Sequence, residues 1–84
     1  MMIDEEITIY TTSWCPHCRR AKAAFEQQGV AYREINIENH PEMAETVEEW
    51  NGGNRTVPTF RIGDQVITFQ ERARLRELVG VSLP

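Results

Sequence analysis

The chain has 84 residues, enough for one domain spanning 1–84 and too few for a second core. At 40% hydrophobic and 26% charged, with 5 Gly and 4 Pro, its composition is ordinary for a soluble globular protein, and no apolar run approaches the ~20 residues that span a bilayer. A net charge of −4 argues against nucleic acid as a partner, because Arg19-Arg20-x-Lys22 and Arg72-x-Arg74-x-Arg76 build no basic stripe.

The N-terminus, Met1-Met2-Ile3-Asp4-Glu5-Glu6, is acidic and lacks both the basic and the apolar region of a secretory signal, so a cytoplasmic location is expected. Ile7-Thr8-Ile9-Tyr10 alternates apolar and polar residues and predicts a first strand. Thr11-Thr12-Ser13-Trp14-Cys15-Pro16-His17-Cys18 follows and holds both cysteines. The first helix is expected to begin with Cys15 near its N-cap and Pro16 at the first position, where a missing N–H costs nothing. Ala21 and Phe25 then face the core, Arg19 and Lys22 point outward, and Gly29 is the stop.

Val30 to Ile37 predicts a second strand, parallel to the first because a helix connects them. Asn39-His40-Pro41-Glu42 reads as a helix start with Asn39 as cap and Glu42 three residues on. Met43, Val47 and Trp50 form that helix's apolar stripe, and Asn51-Gly52-Gly53-Asn54 ends it. Thr59–Ile62 and Gln65–Thr68 flank Gly63-Asp64, a two-residue hairpin turn. Thr68 with Glu71 is a capping box for a last helix, whose buried face would be Phe69, Ala73, Leu75, Leu78 and Val79, stopped at Gly80. The element order is β-α-β-α-β-β-α.

One close cysteine pair in a reducing compartment points to catalysis or metal binding rather than a staple. The loop it would close is too short to constrain the unfolded chain much. Cys15, Cys18 and His17 cannot readily close a tetrahedral zinc site, and His40 opens a different helix, so no metal is expected. At a helix N-terminus, unpaired N–H groups and the positive end of the dipole stabilise a thiolate. Cys15 is therefore the expected nucleophile, with Arg19 and Lys22 as candidate cations beside it, and Cys18 the resolver one turn along.

Trp14-Cys15-Pro16-x-Cys18 after the first strand and Thr56-Val57-Pro58 before the hairpin make the chain, over nearly all its length, resemble the glutaredoxin branch of the thioredoxin-like superfamily. The resemblance implies an α/β thioredoxin-like (glutaredoxin) fold, a four-stranded mixed sheet flanked by three helices. Gly52-Gly53-Asn54-Arg55-Thr56-Val57-Pro58-Thr59, with Thr11 to Cys15, is similar to the actinobacterial mycoredoxins, associated with mycothiol. Pro16-His17 between the cysteines departs from those and is closer to the general glutaredoxin pattern. Conversely, Thr68-Phe69-Gln70-Glu71 replaces the Gly-Gly-x-Asp of many glutathione-binding members, which favours mycothiol over glutathione.

The resemblance implies a cis peptide at Pro58, exposing the Val57 backbone to an extended substrate segment; the plain alternative is a trans proline at a strand start. Trp14, Pro16 and His17 would border the nucleophile, either as a substrate rim or as simple packing and solvated loop. Arg55 and Thr56 would anchor the non-reacting part of a thiol, unless Arg55 merely pairs with the acidic second helix. Thr68, Phe69 and Gln70 would close the site or pack the last helix.

The implied activity is reduction of mixed disulfides between proteins and a low-molecular-weight thiol, and with Cys18 also of protein disulfides, by a monomer with no bound cofactor. Mycothiol or glutathione is the co-substrate, and disulfide-containing proteins are the partners. Two alternatives stand: a dithiol redoxin reduced by a flavoprotein, thioredoxin reductase, and serving ribonucleotide reductase, or an iron–sulfur carrier.

Overall fold

The computed structural model describes residues 6–83; apart from Glu6, the acidic N-terminal stretch lies outside the described residues. The order is β1 (Ile7–Thr11), α1 (Pro16–Gln27), β2 (Arg33–Asn36), α2 (Pro41–Trp50), β3 (Thr59–Ile62), β4 (Gln65–Ile67) and α3 (Arg74–Val79). The strands lie in the order β2-β1-β3-β4. β1 is central, parallel to β2 (Tyr10 opposite Ile35) and antiparallel to β3 (Ile9 opposite Phe60), and β3 turns antiparallel into β4.

The alternation in β1 sorts its side chains to two faces, and both are covered. Ile7 and Ile9 join Ala21, Phe25, Phe60, Ile67, Leu75 and Val79 in one cluster, under α1 and α3. Tyr10 points the other way, to Ile37, Ala44 and Val47 under α2. Hence all of β1 is buried, its threonines included, and it reads half-polar only in sequence. Phe25 has no exposed surface and stacks 6.1 Å from Phe60; truncating it to Ala should cost about 3–5 kcal/mol.

Several boundaries move for identifiable reasons. β2 is shorter than its sequence pattern, because the Val30 N–H bonds back to the Phe25 carbonyl at the end of α1. At its far end the Asn36 side chain accepts the Glu38 N–H and winds the chain into a 3-10 turn, Ile37–Asn39. Asn39 thus ends that turn and does not cap α2. His40 holds the cap position, with no side-chain hydrogen bond.

In the hairpin only Gly63 has a positive φ, +58°, as a type II′ turn requires. The Thr68–Glu71 capping box forms, but it closes a 3-10 turn, Phe69–Glu71. The following N–H groups bond three residues back, from Arg72 to Phe69 and from Leu75 to Arg72. That tighter winding delays α3 to Arg74 and leaves Ala73 exposed, contrary to its expected place in the core. Gly80 ends α3 at φ +76°. Val81 beyond it is fully buried, while the Gln28 amide bonds both the N–H and the carbonyl of Ser82.

Candidate active site

Cys15 caps α1 with its sulfur, which accepts the Cys18 N–H at 3.1 Å, and Pro16 fills the first helical position. The Cys15 Sγ lies 3.7 Å from the Val57 carbonyl oxygen, to which a thiol donates. The Val57–Pro58 bond is cis. Asn51 and Thr59 hold this loop against α2: Asn51 Nδ2 donates to the Val47 carbonyl and to Thr59 Oγ1, and Thr59 Oγ1 donates to the Thr56 carbonyl. So the strand end that carries Pro58 is tied to the helix before it, and Cys15 meets it across the sheet.

The two sulfurs sit in unlike surroundings. Cys15 is 3% exposed, among exposed neighbours Trp14, Pro16 and His17, whereas Cys18 is 1% exposed and faces the core. Burial first, and then the hydrogen bond with Cys15, push the Cys18 thiol up to about 12, against the pull of the Thr12 N–H and the Lys22 charge. Lys22 acts on Cys18, and its ammonium is bound 3.0 Å from Glu34. The Thr11 hydroxyl also donates to Glu34, the leading cause that holds this carboxyl below its usual value. Arg19 is exposed on the outer face of α1.

Around the cysteines the expected residues divide. His17 and Phe69 meet, their ring centroids 4.8 Å apart, and the Arg72 guanidinium covers Phe69 at 4.2 Å. Arg20 lies 3.4 Å from the His17 Nδ1 on the exposed face of the helix start. His17, Arg20, Ala21, Phe69, Arg72 and Leu83 line a cleft of ≈ 270 Å³ between α1 and the turn before α3. Arg55 instead pairs with Glu48 of α2 at 3.4 Å, the plain alternative anticipated for it. Thr68 is taken up by its capping box with Glu71, Gln70 is exposed, and Thr56 is half-buried beside Val57.

Residues without a sequence signal also shape the site. The Glu38 carboxylate accepts the Ser13 N–H at 2.9 Å and the Ser13 hydroxyl at 2.6 Å, and the nearby Trp14 side chain makes a smaller contribution to keeping that carboxyl charged. Glu38 belongs to the turn after β2 and Ser13 to the loop after β1, 25 positions apart, so only strand pairing reveals the contact. Among the described residues, no three His, Cys, Asp or Glu side chains stand together as metal ligands, and no helix is long and apolar enough to cross a membrane.

A cysteine capping a helix, a second cysteine buried one turn on, and a cis-proline loop against the first, on a mixed sheet with helices on both faces, define a thioredoxin-like thiol–disulfide oxidoreductase. The chain belongs to the glutaredoxin family, whose description, Glutaredoxin, matches residues 7–67. It is 51% identical over 63 residues to a Mycobacterium tuberculosis protein named "putative glutaredoxin", covering 75% of either chain. It is 41% identical over 58 residues to mycoredoxin 1 of Corynebacterium glutamicum, covering 69% of this chain and 71% of that one. The crystal structure of a glutaredoxin from Archaeoglobus fulgidus superposes with a TM-score of 0.70 at 29% identity, covering 90% of this chain and 87% of its own.

Proposed function

We propose that the protein reduces mixed disulfides between proteins and a low-molecular-weight thiol, with Cys15 as nucleophile. The Cys15 thiolate attacks the thiol's sulfur, the protein thiolate leaves and takes a proton, and the small thiol remains bonded to Cys15. A second molecule of the thiol attacks that adduct, forming its own disulfide and restoring Cys15. In the thiolate, Cys15 no longer donates to the Val57 carbonyl, which is then free to accept an N–H from an extended substrate segment.

The observation that carries this reading is the difference between the sulfurs. With both cysteines reduced, burial and the bond with Cys15 hold the Cys18 thiol well above its ordinary value, so Cys15 is the sulfur poised to attack. An external thiol then resolves the adduct on Cys15. Likeness to a protein named mycoredoxin 1 supports mycothiol as that thiol. So does the turn after the hairpin, where Thr68-Phe69-Gln70-Glu71 stands in place of the Gly-Gly-x-Asp segment and Glu71 Oε1 closes back on Thr68. The action belongs to a reducing compartment, the cytoplasm.

The test is one activity series on Cys18→Ser and the intact protein, with mycothiol, glutathione and thioredoxin reductase as alternative electron sources. Turnover of a small mixed disulfide with mycothiol that survives Cys18→Ser supports the reading. Turnover only in the intact protein with thioredoxin reductase replaces it with the dithiol redoxin.

A further inference from the structure

Trp14 is the one large hydrophobic side chain that stands exposed among the described residues, at 68%. An exposed indole next to a reactive sulfur would ordinarily sample several rotamers. Here the segment is held at the residue before the ring: the Ser13 N–H and hydroxyl both donate to the Glu38 carboxylate, and the Trp14 side chain lies close enough to help keep that carboxyl charged. Glu38 is itself fixed, because its own N–H bonds the Asn36 side chain at the end of β2. These donors, the Ser13 hydroxyl foremost, hold the Glu38 carboxyl below its usual value, so it is an anion at neutral pH.

The sheet order gives this grip a direction. Glu38 follows β2, at one edge of the sheet, while Phe69, which receives His17, follows β4 at the opposite edge. Trp14 and His17 thus lean to opposite sides of Cys15, and the two halves of a disulfide centred on Cys15 meet different surfaces. On the His17 side lies the cleft with Arg20 and Arg72; on the Trp14 side lies an apolar ring held in place.

We propose that Glu38 is a positioning residue: its carboxylate locks Ser13 and Trp14 so that the indole is a preformed apolar contact for the protein half of a mixed disulfide. It thereby sets the preference for protein over small disulfides. The proposal rests on the oxidoreductase reading of Cys15. The contact suits a peptide segment with an aliphatic side chain beside its cysteine. A ring already ordered loses less freedom on binding than a mobile one, so loosening it weakens recognition without touching the sulfur chemistry.

The test compares two mixed disulfides of the same thiol, one with a ten-residue peptide carrying Leu next to a single Cys, the other with 2-mercaptoethanol. Glu38→Ala is expected to raise KM for the peptide about tenfold more than for the small disulfide, with kcat for the peptide within about twofold. Glu38→Gln, which keeps an acceptor for Ser13, should fall between. Trp14→Ala should reproduce the selective loss, and the double variant should be no worse than Trp14→Ala alone, since the two act through one contact. In a Trp50→Phe background, Glu38→Ala should lower the fluorescence anisotropy of Trp14, which shows the ring released in a folded protein. Equal KM changes for both substrates, or independent multiplication of the Glu38 and Trp14 effects, overturn the proposal alone. Failure of the intact protein to turn over either disulfide sinks the oxidoreductase reading and this proposal with it.

Discussion

α1 and α2 begin with the same chemistry and to different ends. Each has a proline at its first position, preceded by a residue that could cap it. At α1 that residue is Cys15, whose sulfur accepts the Cys18 N–H, and the first turn carries no acid. At α2 it is His40, which caps nothing with its side chain, and Glu42 already supplies negative charge to the first turn. The positive end of α2 is therefore neutralised by its own sequence, whereas that of α1 is left for a charge that arrives only when Cys15 ionises. A proline entry marks a helix start; the vacancy for a negative charge marks the reactive one.

The comparison can be broken most directly at the cap. Cys15→Ser keeps an acceptor in place, and Ser is itself a good N-cap, so the fold should survive. Disulfide reductase turnover should nevertheless fall about a thousandfold or more, since a hydroxyl does not ionise there. An assay of the purified variant beside its thermal melt checks both halves, and residual turnover above a few per cent would contradict the assignment of the nucleophile.

Next in size is the contrast within α1. With its thiol pushed up to about 12, Cys18 stays protonated at pH 7. Brief iodoacetamide treatment of the reduced protein should place a single adduct, on Cys15, seen by peptide mass spectrometry. The same shift has a sign for stability. The folded state keeps the Cys18 proton more tightly than the unfolded chain, so its contribution is complete below the ordinary value of 9.0 and is lost as pH rises toward about 12. Tyr32 is raised to about 12 as well, by burial first and then its bond to Glu26, and acts in the same direction. Denaturant midpoints between pH 8 and 11 should fall in the intact protein and fall less in Cys18→Ala.

A smaller effect sharpens the electrostatic part. His17→Glu gives the first turn of α1 the acid that α2 already has, and alkylation of Cys15 at pH 7 should slow by about two- to fivefold. The smallest change runs the other way. His40→Asp supplies α2 with the side-chain cap it lacks, and should stabilise the protein by about 0.5–1 kcal/mol, raising the melting temperature by a few degrees.

The site was legible where it is local. Cys15 at the cap, Pro16 after it, Cys18 one turn on and the Gly63-Asp64 hairpin all follow from spacings within a few residues, and each stands where expected. Legibility failed where two local preferences competed. Asn39 could cap α2, but Asn36 captures the Glu38 N–H first and closes a turn that ends on Asn39. Thr68 and Glu71 form the capping box they promise, yet around a 3-10 turn, so α3 begins later than that signal implies.

Residue order by itself therefore determined the succession of strands and helices and the place of both sulfurs at a helix start, because periodicity and capping act over one or two turns. Only the tertiary structure decided what faces those sulfurs. The Val57 carbonyl reaches Cys15 from 42 positions away, Glu38 takes hold of Ser13 from 25, and Phe69 meets the ring of His17. It also turned Arg55, a natural ligand anchor by composition, toward Glu48, and bound Lys22 to Glu34. Charged and polar side chains take whichever partner the strand order brings within about 3 Å, and no local pattern carries that order.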